Sequence, residues 1–245
     1  MAITTCIVGA SGYSGQETLD RVLAHPDLEL VALGSDSLAG APAAALDPRL
    51  HGDLPGFSTN PGALGAGAEL VFSCLGHVEA AALDPPAGAT VIDLSGAHRL
   101  ADPALYPEWY GFEHPEPASL GEWSYGLPEL FPPAGPLVAN PGCYATAVLL
   151  ALAPLVDAID PAHVVVDAKS GVSGAGRTLK ASSHAGAVLE NVVPYKVGAH
   201  QHAPACEEAF SVRPAPETPD FASTTTCAGS IASTSGASAS RTAVA

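Results

Sequence analysis

Positive charge is what this chain most lacks. Of its 245 residues only 9 are Lys or Arg, against 25 Asp or Glu, which gives a formal net charge of −16. A field of that sign repels a phosphate backbone and argues against nucleic-acid binding. A small anion would have to be held by a local cluster of donors. Long apolar runs are also missing, so no membrane span is expected. The N-terminus has no charged region ahead of its apolar stretch, which argues against a signal peptide. No CxxC pair occurs, and the five cysteines (Cys6, Cys74, Cys143, Cys206, Cys227) are odd in number and widely spaced. They read as reduced thiols of a cytoplasmic protein. Neither a collagen period nor a heptad repeat appears. What the chain does have is apolar substance: 47% of it is hydrophobic and only 14% charged. That balance argues against disorder throughout, and the length suffices for one large domain or two small ones with a buried core.

The first half alternates strand and helix patterns. Ile3–Val8, Leu28–Leu33, Glu69–Leu75, Thr90–Leu94 and Leu137–Ala139 are short apolar, β-rich runs. Gln16–Ala24 has helical spacing, with Leu19, Val22 and Leu23 on one face. Continuous apolar strands separated by helices or loops predict an α/β fold with a parallel sheet covered on both faces. The stretches Gly34–Ala68 and Pro103–Pro136 give no regular pattern. After Cys143 come an apolar helical stretch (Tyr144–Val156), a strand (Val164–Ala168), a glycine-rich loop (Ser170–Arg177) and a polar helical stretch towards Glu190. The expected organisation is a cofactor domain at 1–142, a partial substrate domain at 143–210 and a tail at 211–245. From Ala222 onward the chain is almost wholly Ser, Thr, Ala and Gly. Such a tract buries too little apolar area to offset its ordering entropy, so it is expected to be disordered.

Four motifs carry chemistry. Gly9-Ala-Ser11-Gly12-Tyr13-Ser14-Gly15 follows a strand and opens a helix. Glycines there let a pyrophosphate approach backbone N–H groups at a helix N-terminus. Ser35 and Asp36 follow the second strand, where a carboxylate would bind a ribose 2′-hydroxyl and favour NAD. Cys143, after Asn140-Pro-Gly, begins an apolar helix. A helix N-terminus favours a thiolate, which suits a nucleophile, but a small buried hydrophobe fits that position equally. His200-Gln-His202 places two imidazoles on one face of an extended segment, where one could serve Cys143 as acid–base partner. With no second pair at ligand spacing, no metal is expected. Finally, Ser173 and Arg177 sit in a glycine loop that could cradle a phosphate or carboxylate.

Taken together, GASGYSG at 9–15, DLSGAHRL at 93–100, YGLPEL at 125–130, VANPGCYATAVLLALAP at 138–154, KSGVSGAGR at 169–177 and VPYKVGAHQHAP at 193–204 resemble the N-acetyl-γ-glutamyl-phosphate reductase family of arginine biosynthesis, within the aspartate-semialdehyde dehydrogenase superfamily. The resemblance implies a Rossmann-type cofactor domain followed by an α+β substrate domain, here incomplete. It implies reduction of an N-acetylglutamyl 5-phosphate to the semialdehyde by NADP(H), with NAD(H) the second choice given Asp36. It casts Cys143 as the nucleophile that forms a thioester, His200 as acid–base residue with His202 as second candidate, and Asn140, Ser173 and Arg177 as substrate contacts. It also implies a homo-oligomer. Two other readings stay open: action on another acyl phosphate, and a cofactor-binding fragment that does not turn over. Where the family shows His-x-Pro-Glu-Ile, this chain has His202-Ala-Pro-Ala-Cys206, and no match to the family pattern is expected beyond about Glu208. The stretch after Phe210 reads like a shifted frame or a truncation.

Overall fold

Strand β1 (Ile3–Val8) is an interior strand of the first unit, where Cys6, Ile7 and Val8 are all apolar and fully buried. The computed structural model describes residues 1–155, 158–159, 164–197 and 200, and the backbone of 226–232. In chain order after β1 come α1 (Tyr13–Ala24), β2 (Leu28–Gly34), β3 (Phe57–Ser58), α2 (Asn60–Leu64), β4 (Leu70–Ser73), α3 (His77–Ala81), β5 (Thr90–Asp93), α4 (Tyr106–Trp109), β6 (Ser124–Tyr125) and β7 (Leu137–Ala139). Except for α4, these belong to a first unit of Met1–Ala104 and Phe112–Asn140.

Its seven strands run in the order β3-β2-β1-β4-β5-β7-β6, and each pairing is parallel. Alternate side chains of β1 feed two cores, as the period of a strand requires. Cys6 and Val8 pack with Ala63 of α2, Val71 and Val91, whereas Ile7 packs with Leu19 and Val22 of α1, Leu33 and Phe57. Both faces are therefore covered, as continuous apolar strands demand. One detail differs from the helical pattern: Leu19 and Val22 are buried, but Leu23 is 42% exposed. The strand order turns back at β1 and β4, so the turn after β1 lies at the crevice where doubly wound sheets bind ligands.

Beyond β5 the chain makes a polar knot. Asp93 accepts hydrogen bonds from the N–H and hydroxyl of Ser95 and pairs with His98 Nδ1 at 2.8 Å. The His98 ring stacks on Trp123 at 3.7 Å between centroids. Burial works to raise the Asp93 carboxyl, but His98 and Ser95 outweigh it and hold the group below the usual carboxylate range. Arg99, also buried, donates to the carbonyl oxygens of Asn140 and Leu94, both at 2.7 Å. It thus fixes the last strand's exit by satisfying two buried acceptors.

A second unit gathers Leu105–Gly111 and the described residues from Pro141 onward, so the division falls between Asn140 and Pro141. It holds α4 and then α5 (Cys143–Leu152), β8 (Val165–Ser170), α6 (Ala185–Val188), β9 (Val192–Tyr195) and β10 (Thr226–Ala232). Tyr144, Ala145, Val148 and Leu149 bury one side of α5, and Val166 of β8 packs against Ala145 and Val148. In the small sheet β10 lies between the other two, parallel to β8 and antiparallel to β9. This differs from the expectation of a disordered 211–245: over Thr226–Ala232 the backbone is a strand, its N–H and C=O groups shared with two neighbours. The rest of 211–245 lies outside the described residues.

Candidate functional site

In the first unit the cofactor candidates converge at the ends of β1 and β2. Gly9 has φ +70°, and a Cβ there would meet the Cys74 carbonyl oxygen at 2.5 Å; one on Gly15 would meet Gly9 and Ala10 backbone atoms at 2.5 Å. These two glycines are needed by the turn itself and by the close seat of α1 on the sheet. Gly12 is different. It caps α1 with extended backbone and no side-chain hydrogen bond, and a Cβ there would meet only Gly9 oxygen at 3.4 Å. Its bare face is therefore the open part of the cradle, where a pyrophosphate would meet the first turn of a 12-residue helix. Ser35 Oγ donates to Ser11 Oγ at 2.8 Å, and the Ala10 N–H donates to Gly34 O at 2.9 Å, which ties the two strand ends together. Tyr13 and Ser14 are exposed on the first turn of α1. The residues present fit a dinucleotide. Gly9→Ala is expected to lower stability by about 3 kcal/mol or more, because strain and overlap with backbone add. Gly12→Ala should melt within a few degrees of the parent but bind dinucleotide more weakly; thermal melts and a fluorescence titration check both.

In the second unit Cys143 is the first residue of α5, with Gly142 as an extended cap that offers no side chain. It is exposed, whereas Cys6 and Cys74 are not. Burial pushes the Cys6 thiol up to about 12 and the Cys74 thiol up to about 11, which makes both poor nucleophiles. Sequence position left Cys143 between nucleophile and buried hydrophobe, and the structure removes the second reading.

His200 is buried, and its Nε2 lies 3.1 Å from the Tyr195 hydroxyl. That hydroxyl donates to Tyr144 Oη at 3.4 Å, and Tyr144 in turn donates to Ser170 Oγ at 2.7 Å. Both tyrosine rings stand edge-on to the imidazole, at 5.1 and 5.4 Å. Burial, with the positive charge of Lys196 adding to it, lowers the His200 pKa, so the ring is neutral near pH 7. Burial raises the Tyr195 phenol, its bond to Tyr144 adds to this, and the charge of Cys143 acts in the same direction. His200 and Tyr144 thus both meet the Tyr195 hydroxyl. Tyr144, Ser170 and Tyr195 were missed as site residues. The Pro-Tyr-Lys ahead of the histidines and the tyrosine next to Cys143 were the available signals.

The remaining candidates are placed as follows. Asn140 has its N–H on Asp93 O at 2.9 Å and its carbonyl on Arg99. Ser173 and Arg177 are exposed on the loop after β8, which forms a 3-10 turn over Val172–Ala175 and turns at Gly176, φ +82°. His202 lies outside the described residues. Asp36, the expected ribose contact, has both carboxylate oxygens engaged by Asn60, at 2.9 and 3.0 Å.

Comparison with known proteins follows the same division. Residues 4–135 match the semialdehyde dehydrogenase NAD binding domain, and residues 143–240 the semialdehyde dehydrogenase dimerisation domain. The chain belongs to the semialdehyde dehydrogenase family. The second match runs past Glu208, so the expectation that the family pattern ends there is corrected. Among curated proteins, the N-acetyl-gamma-glutamyl-phosphate reductase of Salinispora arenicola (strain CNS-205) is 49% identical over 219 residues, covering 85% of this chain and 64% of that protein. The protein of the same name from Acidothermus cellulolyticus is 43% identical over 223 residues, covering 86% and 63%. This semialdehyde dehydrogenase family chain therefore spans just under two thirds of the length of the curated relatives it matches. Among solved structures, aspartate semialdehyde dehydrogenase II from Vibrio cholerae aligns with a TM-score of 0.61 at 17% identity, covering 94% of this chain and 70% of the other. The Candida albicans aspartate semialdehyde dehydrogenase with NADP aligns at 0.55 and 17%, covering 94% and 68%. At that identity the likeness is one of fold.

Proposed function

We propose that this chain carries the catalytic residues of a reductase that converts N-acetylglutamyl 5-phosphate to the 5-semialdehyde and phosphate. The observation that carries the reading is the 49% identity to a relative of that name over 85% of this chain. The only exposed thiol among the described residues stands at a helix start, next in sequence to Tyr144, whose hydroxyl meets the tyrosine that holds the buried His200, and this supports it. Bound in its reduced form, the nicotinamide dinucleotide, NADP(H) by the resemblance, supplies the hydride. Backbone N–H groups in the first turn of α1, seated by the Gly9–Gly15 turn, would hold its pyrophosphate.

His200 takes the thiol proton of Cys143. The sulfur attacks the acyl carbon, a C–S bond forms, and the C–O bond to phosphate breaks with its electron pair leaving on phosphate. The acyl group is then a thioester on Cys143. After hydride adds to the carbonyl carbon, the C–S bond breaks and its pair returns to sulfur, which frees the aldehyde. The acyl phosphate is already activated, so a good nucleophile matters more than a strong acid. Ser173, Arg177 and Asn140 are the proposed substrate contacts. His202 is retained as a second acid–base candidate, a homo-oligomer is proposed from the dimerisation-domain match, and a cytoplasmic site is proposed from the free thiols.

Supplied with N-acetylglutamate semialdehyde, phosphate and oxidised dinucleotide, the chain should generate reduced dinucleotide at a rate that depends on phosphate. Binding of dinucleotide with no reduction above the phosphate-free control would sink the reading.

A further inference from the structure

One polar chain in the first unit is not accounted for by the reaction. The Asn60 backbone N–H donates to Asp36 Oδ1 at 2.9 Å, and its side-chain Nδ2 donates to Asp36 Oδ2 at 3.0 Å. The Asn60 side-chain oxygen accepts the N–H of Gly9 at 2.9 Å. A flipped amide would set acceptor against acceptor and donor against donor, so the chemistry fixes its orientation. Gly34 makes the reach possible: a Cβ there would meet Asn60 Oδ1 at 2.9 Å. The result is a strut from the end of β2 to the first residue of the glycine turn. Asp36 lies in the turn after β2 and Asn60, 24 residues on, opens α2; Asn60 is 51 residues from Gly9.

We propose that Asp36 and Asn60 are positioning residues for dinucleotide binding: Asp36 orients Asn60, and Asn60 sets the Gly9 amide and with it the turn that meets the pyrophosphate. The inference rests on the reading of the first unit as a dinucleotide site. It departs from direct ribose recognition in a measurable way. A ribose ligand discriminates at the 2′ position, so its loss weakens an unphosphorylated dinucleotide and relieves a 2′-phosphate. A residue acting on the pyrophosphate turn affects what NADH and NADPH share, so its loss weakens both by one factor.

The test is the Kd of the full chain for NADH and for NADPH, read from dinucleotide fluorescence, with a thermal melt on each variant. Asn60→Ala is expected to weaken both dinucleotides about tenfold, since a hydrogen bond next to the bound anion is lost. Their ratio should move less than about twofold. Asn60→Asp should be worse, because two carboxylates then face each other. The exchange Asp36→Asn with Asn60→Asp returns a donor to the carboxylate and keeps an acceptor for Gly9, so it should recover most of the affinity. If Asn60→Ala fails to fold, Asp36→Asn and the exchange carry the same comparison. Weaker NADH with unchanged or tighter NADPH in Asp36→Asn would overturn the proposal in favour of ribose contact. So would unchanged Kd values in a well-folded Asn60→Ala. If the parent chain binds neither dinucleotide, the cofactor reading fails first and takes this inference with it.

Discussion

Cys143→Ser should slow phosphate-dependent dinucleotide reduction at least about a thousandfold while leaving dinucleotide affinity and melting temperature near the parent values. The size follows from the loss of an entire covalent route. A serine hydroxyl at the same helix start stays protonated near pH 7, and an alkoxide leaves from carbon far less readily than a thiolate. The neutral outcome on stability follows from exposure: the side chain fills no core and no described hydrogen bond of the fold depends on it. Incubation of the parent with acyl phosphate in the absence of reductant should leave an acyl adduct detectable by intact mass, absent in the variant. Equal rates for parent and variant would remove the thioester route. Loss of dinucleotide binding in the variant would instead indicate a folding defect.

How much of this was legible in the sequence depends on where the information sits. β1, β2, β4, β5 and β7 announce themselves because a strand covered on both faces must be apolar at consecutive positions. β3 and β6 have two residues each, too few to show any period, and are strands only because a neighbour pairs with them. β10 is made of small and polar residues apart from Ile231, so its pattern carries little signal; its pairing partners β8 and β9 define it. The site divides the same way. The glycine turn and Cys143 are local motifs, each meaning something within a few residues. The His200–Tyr195–Tyr144–Ser170 chain joins side chains as much as 51 residues apart, and no spacing rule links them. Asp36 illustrates a different case: its position in the sequence suggested a ligand contact, and the structure adds what no motif showed, a hydrogen bond from Asn60 to each of its oxygens.

The pH dependence of kcat/KM should separate His200 from its surroundings. His200→Gln is expected to reduce the rate between about a hundredfold and ten-thousandfold, the range for loss of a positioned acid–base group. In the parent, the base must be neutral, and burial together with Lys196 holds its pKa below the ordinary imidazole value of about 6.5. The acid limb should therefore lie below that value. Lys196→Asn removes the nearby positive charge and suits the backbone, since Lys196 has φ +46° and asparagine tolerates that region. With less repulsion the imidazolium is easier to form, the pKa rises, and the acid limb should move to higher pH while the plateau rate changes little. The stability effect has the same origin. The unfolded chain binds a proton at the ordinary imidazole value and the folded chain only below it, so folding weakens as pH falls from about 6.5 through the folded pKa and then levels off. An acid limb that stays fixed in Lys196→Asn, or a His200→Gln variant with parental activity, would shift the acid–base role to another residue.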